Sequence, residues 1–281
     1  AFLAVGEIAG RAGAARIRLA APIGEAEIEA NFASRIEARD SVAFDRAARA
    51  VRRRRRRLLG AILLDDAPLP VEADDEAALA LARGAKALGI DKLPWGKDLR
   101  RWQGRVMFLR KALGGAWPDL SDGALAGSVA EWLAPRLLGK TSLDEIGPDD
   151  MRLALEGLLP FDLRRRLETE APAHFDAPSG SRLPIDYTEE GASLSIRVQE
   201  LFGLHEHPRL AGGRQALVLN LLSPAHRPIQ ITADLPGFWR GSWKEVRSEL
   251  RGRYPKHPWP EDPFSAPASS RAKAHGKARG K

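Results

Sequence analysis

Six consecutive arginines, Arg52 to Arg57, are the residues of this chain whose type and spacing point most directly to a chemical task. In a β-strand successive side chains face opposite ways, so Arg52, Arg54 and Arg56 share one face and Arg53, Arg55 and Arg57 the other. Guanidiniums two residues apart on a strand stand about 7 Å from one another, which suits repeated backbone phosphates. A second reading pairs one face with nearby acids such as Asp65, Asp66 and Glu72 and leaves the other solvated. A further basic group, late in the chain, mixes Arg240, Lys244, Arg247, Arg251, Arg253 and Lys256 with Trp239, Trp243, Tyr254 and Trp259. Basic grooves with stacking rings hold single-stranded nucleic acid, but tryptophans at such positions serve more often as core, which leaves the cations as better candidates than the rings. The candidate phosphate contacts are Arg52, Arg54, Arg56, Arg182, Arg214, Lys244, Arg247 and Arg251.

Other constellations carry less. Gly139-Lys140-Thr141 has the ending of a phosphate-binding loop, but the earlier glycine such a loop needs is Ala134, and the preceding text reads as helix. Gly139 is better taken as a helix C-cap. His205, Glu206 and His207 put two imidazoles on one side of an extended segment, and His226 offers a third ligand, yet the spacing matches no helical zinc motif. Neither an acidic ATPase motif of the DExH kind nor a serine, histidine and acid set stands out. No catalytic residue, metal site or cofactor is therefore assigned to this chain, and it is expected to be inactive alone.

The net charge of +7 is local rather than general. From Ser265 onward Arg271, Lys273, Lys277, Arg279 and Lys281 supply +5 with no acids, which leaves +2 for residues 1–264. The six-arginine run exceeds that remainder, so everything else in the body sums to −4. Two basic foci in an otherwise acidic chain form an electrostatic footprint of the kind anionic polymers require. The chain has no cysteine, which excludes disulfides and thiolate metal sites and suits a reducing cytoplasm. No apolar run is long enough to span a bilayer, and the opening residues do not read as a signal peptide but as the start of a strand in a cut or incomplete chain.

The elements that must position these residues read as an α+β chain in four parts. Residues 1–70 are β-rich and include the basic strand, with a hairpin from Phe2–Ile8 and Ala15–Ala21 turned by Gly10 to Gly13. A second pair is expected over Ser41–Phe44 and Ala50–Leu64, with Gly60 as a bulge or kink, while 25–37 fits a helix or a long connection. Residues 71–175 show helical stripes, among them Leu99, Trp102, Val106, Leu109 and Leu113 with Asp98 placed to cap, and Leu125, Val129, Trp132 or Leu133, and Leu137. These predict a helical bundle. Residues 176–263 return to strands over 178–187, 193–198, 215–222 and 228–233, then a short helix opened by a capping box of Ser242 and Glu245. From 264 to 281 the composition is too poor in apolar groups to fold, predicting a disordered basic tail.

The C-terminal third carries a resemblance that composition could not supply. PSGSRLPIDY (Pro178–Tyr187), LSIRVQELFGL (Leu194–Leu204), AGGR (Ala211–Arg214), LLSPAHRPIQIT (Leu221–Thr232) and DLPGFWRGSWKEVRSELRGRYPKHPWPEDP (Asp234–Pro263) resemble blocks of the HrpB-type helicases, bacterial ATP-dependent enzymes of the DEAH-box kind. The likeness is specific over about residues 115–263, and residues 1–110, including the basic strand leading into Leu58–Leu64, resemble the segment before it. The resemblance implies two RecA-like motor domains upstream of Ala1, joined to winged-helix, helical-bundle and oligonucleotide-binding-like parts. ATP and magnesium would belong to those motor domains, since their ligands have no positions here. It also implies single-stranded RNA or DNA and the motor domains of the same parent as partners, and no membrane. The expectation is an accessory region that binds or guides single-stranded nucleic acid beside the motor; the alternative is a docking module with no nucleic-acid contact.

Overall fold

Gly10 and Gly13 take positive φ, and the chain reverses there between two antiparallel strands, β1 (Phe2–Ala9) and β2 (Arg16–Ile23). The structure is a computed structural model and describes residues 2–11 and 13–270. Residues 25–37, open between two readings in the sequence, form the helix α1 (Glu25–Phe32) and a single 3₁₀ turn before β3 (Ile36–Asp45). Asp45 Oδ1 accepts from the Ala47 and Ala48 amides at 2.9 and 3.1 Å, a side-chain turn that reverses the chain into β4 (Ala50–Leu59). Gly60 is neither bulge nor kink. Leu59 pairs with Ile62 across a two-residue loop, and Gly60, at φ +58°, supplies the left-handed first position such a loop needs before β5 (Ile62–Leu69). The arginine run is therefore the central strand of a three-stranded meander, β3-β4-β5. Residues 141–143 extend pairing at the start of β4, where the Val51 amide donates to Thr141 O at 2.8 Å.

Helix α2 (Asp75–Leu88) opens on Asp74, whose carboxylate accepts from the Ala77 amide, and buries Ala77, Ala78, Leu81, Ala82 and Ala85 on one face. Gly84 lets the helix approach β3 closely: a Cβ there would overlap the Phe44 ring. Then follow α3 (Lys97–Leu113), α4 (Asp122–Gly127), α5 (Val129–Trp132), α6 (Pro148–Glu156) and α7 (Phe161–Glu170). Gly96 rather than Asp98 occupies the cap position of α3. The stripe Leu125, Val129, Trp132, Leu133 and Leu137 is buried throughout, but on α4, α5 and a 3₁₀ turn instead of one helix.

Beyond α7 the chain forms β6 (His174–Asp176), β7 (Arg182–Pro184), β8 (Asp186–Tyr187), β9 (Ala192–Arg197), β10 (Arg209–Leu210), β11 (Gln215–Ala216), β12 (Val218–Leu222) and β13 (Pro228–Thr232). Their main sheet has the order β13-β12-β9-β8, with β9 and β12 parallel and the outer pairs antiparallel. Leu194, Ile196, Leu219 and Leu221 bury its inner face. Two helices close the domain, α8 (Leu235–Arg240) and α9 (Trp243–Arg253). Ser242 precedes α9 but makes no capping hydrogen bond, so the expected box is not formed.

Compactness divides this mixed α+β chain into two units, Ala1–Leu93 with Val129–Asp150, and Pro94–Ser128 with Met151 onward. The helical stretch read as one bundle over 71–175 is shared between them: α2 and α5 fall in the first, α3, α4 and α7 in the second. Two buried charges serve the second unit's structure. Arg105 donates to Ala171 O at 2.6 Å and Leu167 O at 3.2 Å, closing the C-terminal end of α7, and pairs with Glu168 at 2.8 Å. Burial pushes the Glu200 carboxyl up, but hydrogen bonds from Ser181, Arg197 and Ser179 outweigh it and leave the group below its ordinary value.

Candidate nucleic-acid interface

Strand β4 does present arginines on both faces, and each of the six meets a carboxylate. Arg52 lies 3.7 Å from Asp45; Arg54 donates to Asp66 Oδ1 at 2.7 Å and to Asp66 O at 3.0 Å; Arg56 reaches the same carboxylate at 3.4 Å. On the other face Arg53 pairs with Glu72 at 3.3 Å, Arg55 grips Asp40 through two hydrogen bonds of 2.7 and 2.9 Å, and Arg57 contacts Glu25 and Glu29 of α1. The strand register explains the Asp40 grip, because Asp40 stands directly opposite Arg55.

These carboxylates are held ionised. The Arg55 guanidinium keeps Asp40 below the usual carboxylate range; the Ala48 and Ala47 amides, aided by Arg52, do the same for Asp45. Asp66 is lowered by the Arg54 hydrogen bond first and by Arg56 after it. Arg52, Arg54 and Arg56 keep roughly half their side chains in solvent, and exposed pairs of this kind are screened and weak. What β4 offers is thus a row of guanidiniums already occupied by acids that a competing anion could replace. Asp66 and Glu72 are visible as neighbours in the sequence. Asp40, Asp45, Glu25 and Glu29 are not, because their approach depends on a strand register and on the placement of α1.

The remaining candidates lie in the second unit and have different surroundings. Arg247 is not a free cation: its Nε donates to Trp259 O at 3.0 Å and its Nη2 to Glu261 at 2.9 Å, tying the Pro-rich segment back onto α9. Arg182 is exposed on β7, 3.8 Å from Asp176. Arg214 is exposed beside the β10–β11 reversal, while Lys244 and Arg251 are exposed on α9; among the described residues these three side chains have no ion pair or hydrogen bond. Seven positions apart, Lys244 and Arg251 share one side of the helix, about 10 Å apart along its axis at 1.5 Å per residue.

The aromatic partners of this group are core. Trp239, Trp243 and Trp259 are buried, and Trp239 and Trp243 pack with Phe202 and with each other at centroid distances of 5.4–5.8 Å. Trp243 Nε1 donates to Pro260 O, and Trp259 Nε1 to Tyr254 O, so neither ring is offered to a base. The histidines of the metal reading have other uses. His205 stacks on Phe264, and His207 bridges two segments, with Nε2 2.8 Å from Leu217 O and Nδ1 accepting from the Leu235 amide at 3.1 Å. Gly139 has positive φ and its amide donates to Ala73 O, while Lys140 pairs with Asp150 at 3.3 Å. In the segment expected to be a disordered tail from 264, residues 264–270 return to the fold: the Ser269 amide donates to Gln199 O, and Arg240 lies over the Phe264 ring. The cations from Arg271 onward lie outside the described residues.

Comparison with known proteins agrees with this architecture. Residues 132–263 match the family model for the HrpB-type "ATP-dependent helicase C-terminal" region. The chain is 37% identical over 263 residues to the ATP-dependent RNA helicase HrpB of Escherichia coli K12, covering 93% of this chain and 32% of that protein. The crystal structure of E. coli DExH-box NTPase HrpB superposes with a TM-score of 0.71 at 35% identity, over 96% of this chain and 34% of that one. A second, of E. coli DEAH/RHA helicase HrpB, gives 0.61 at 36% identity, over 80% and 29%. The chain spans about one third of the length of these relatives. The β6–β13 strands, the tryptophan-centred core and α9 all lie inside residues 132–263, the span that matches the model for the HrpB-type ATP-dependent helicase C-terminal region.

Proposed function

We propose that this chain is an accessory region of a HrpB-type ATP-dependent helicase and that it holds single-stranded nucleic acid beside the motor, in a cytoplasmic setting, by backbone electrostatics. ATP and magnesium are then ligands of the motor regions outside this span. The observation that carries the reading is the exposed pair Lys244 and Arg251 on one side of α9, inside the matched region and without an ion pair among the described residues. Arg214, exposed and likewise without an ion pair among the described residues, adds to them. Sequence-specific readout is not part of the proposal, because phosphate contacts position a strand without reading bases.

The test is fluorescence-anisotropy binding of a labelled single-stranded RNA over a salt series, with residues 1–270 so that the basic tail does not contribute. Each phosphate contact to a single strand adds about 0.7 to the slope of log affinity against log salt. Lys244→Ala with Arg251→Ala is expected to weaken binding and reduce that slope by about 1.4. Unchanged affinity and slope in this double variant would show that α9 does not touch the strand. The docking alternative is favoured by a different observation, the occupation of all six β4 arginines by acids. It wins if residues 1–270 show no salt-sensitive RNA binding at all.

A further inference from the structure

Asp98, Arg101, Trp102 and Arg105 follow one another on α3 at helical spacing, which puts all four on one face. That face borders a cavity of about 340 Å³, walled elsewhere by Arg152 and Glu156 of α6, His174 at the start of β6, and Ile185 just after β7. All of these residues belong to the second unit. Arg105 is the informative one. Its side chain is only 7% exposed, with Nε and Nη2 committed to Ala171 O, Leu167 O and Glu168. Nη1 makes no hydrogen bond among the described residues, although the side chain lines the cavity. A buried guanidinium with a donor nitrogen to spare is suited to an anion, since charge-assisted hydrogen bonds are the strong ones. The cavity's other cations sit nearer solvent and pair at longer range, Arg101 with Asp98 at 3.7 Å and Arg152 with Glu156 at 3.5 Å. Exposed pairs of that kind are weak. Asp98 and Glu156 nevertheless bring negative charge, so a ligand here needs more than charge to hold it.

Trp102 supplies the rest. It is half-buried in the cavity wall, and its indole N–H makes no hydrogen bond among the described residues. Trp243 and Trp259 differ, because their N–H groups are used inside the core. Leu99, Ala173 and Ile185 extend the apolar wall beside the ring. A flat aromatic surface accepts the face of a nucleobase, and a guanidinium suits the oxygens of a phosphate. The volume stands at the small end of the roughly 300–1,000 Å³ range of ligand sites, which fits one such unit and not a run of them. We infer that this cavity binds a single nucleotide unit ending in a phosphate, its base against Trp102 and its phosphate at Arg105, with Arg101 and Arg152 at the mouth. A free nucleoside monophosphate and the phosphorylated end of a single strand present the same chemistry. No residue of α9 lines the cavity, so the inference does not depend on Lys244 and Arg251.

The experiment titrates the full chain with adenosine 5′-monophosphate, adenosine and inorganic phosphate by calorimetry. The monophosphate is expected to bind, with adenosine and inorganic phosphate each weaker by about tenfold or more, since each keeps only part of the contacts. Trp102→Leu should weaken the monophosphate by about tenfold or more and leave inorganic phosphate unchanged. Arg105→Lys should weaken both phosphate-bearing probes and spare adenosine. Because Arg105 also closes the end of α7, Arg101→Gln with Arg152→Gln is the second charge variant; it is expected to stay folded by thermal melts and to weaken the same two probes. Displacement of the monophosphate by a 5′-phosphorylated single-stranded RNA, but not by the same RNA without its phosphate, assigns the site to strand ends; displacement by neither assigns it to the free nucleotide. Four outcomes overturn the inference: no binding of the monophosphate; undiminished binding in both Trp102→Leu and the Arg101 and Arg152 variant; inorganic phosphate as tight as the monophosphate, which makes the cavity a bare anion hole; or equal displacement by both RNAs. Lys244→Ala with Arg251→Ala is expected to bind the monophosphate at the unaltered level, so failure here and failure of the α9 reading are separately visible.

Discussion

Among individual side chains, several cations that look free in the sequence are committed to internal partners before any ligand arrives. Arg247 was a plausible phosphate contact by position, since it shares a helix with Lys244 and Arg251, but it acts as a clamp on Trp259 O and Glu261. No feature of sequence spacing separates the three; the distinction depends on where the Pro-rich segment returns. His207 shows the same commitment in an uncharged form. Burial pushes its imidazole below the ordinary histidine range, outweighing the raising effects of the Leu217 carbonyl and Asp234, and burial lowers His257 too. Because both folded values are depressed, the unfolded chain binds more protons just below the ordinary histidine pKa of about 6.5. Stability from these groups is therefore present above that pH and is lost as pH falls through it toward the folded values. The urea midpoint is expected to be lower at pH 5.5 than at 7.5, and His207→Gln, which takes up no proton, should shrink the difference; an equal difference in that variant would remove His207 from the account.

Within single elements, the tightest constraint is the approach of α2 to β3 at Gly84. An added methyl there meets the Phe44 ring near its attachment point, where the side chain cannot swing away, so Gly84→Ala should cost about 1–3 kcal/mol despite the better helix propensity of alanine. Phe44→Leu in the same chain should recover part of that loss, and urea melts of the two single variants and the double give the coupling directly. Elements of this kind were largely readable in advance. The first hairpin, α3, and strands β9, β12 and β13 lie where alternation and helical stripes put them. Misreadings fell where a local signal had two geometries. Gly60 reads in the sequence as a bulge or kink, and only the pairing of Leu59 with Ile62 makes it a turn residue. Ser242 and Glu245 had capping-box spacing, yet Ser242 adopts helical dihedrals and gives up the cap. One apolar stripe became two helices because Gly127 and Ser128 interrupt it, the serine hydroxyl bonding back to Ala124 O. The candidate site was less legible than the fold, since the acids that occupy β4 come from other strands and from α1.

Over the whole molecule, the path of the chain between the two units matters more than the content of either. It runs from the first unit to the second at Pro94, back at Val129, and out again at Met151, so each unit is built from two separated stretches. Each unit loses part of its interior if either of its stretches is released, and the stretches are linked end to end. Urea unfolding is accordingly expected as one transition, coincident by tryptophan fluorescence and circular dichroism; two resolved transitions would show the units to be energetically separate. The same interleaving bears on how such a protein can be inherited. No single cut in the coding sequence isolates either unit: a break anywhere from 94 to 150 leaves one of them without a piece of its core on whichever side is kept. Recombination breakpoints inside that span cut into a core, so the breakpoints that survive in descendants of this chain are expected to fall outside residues 94–150.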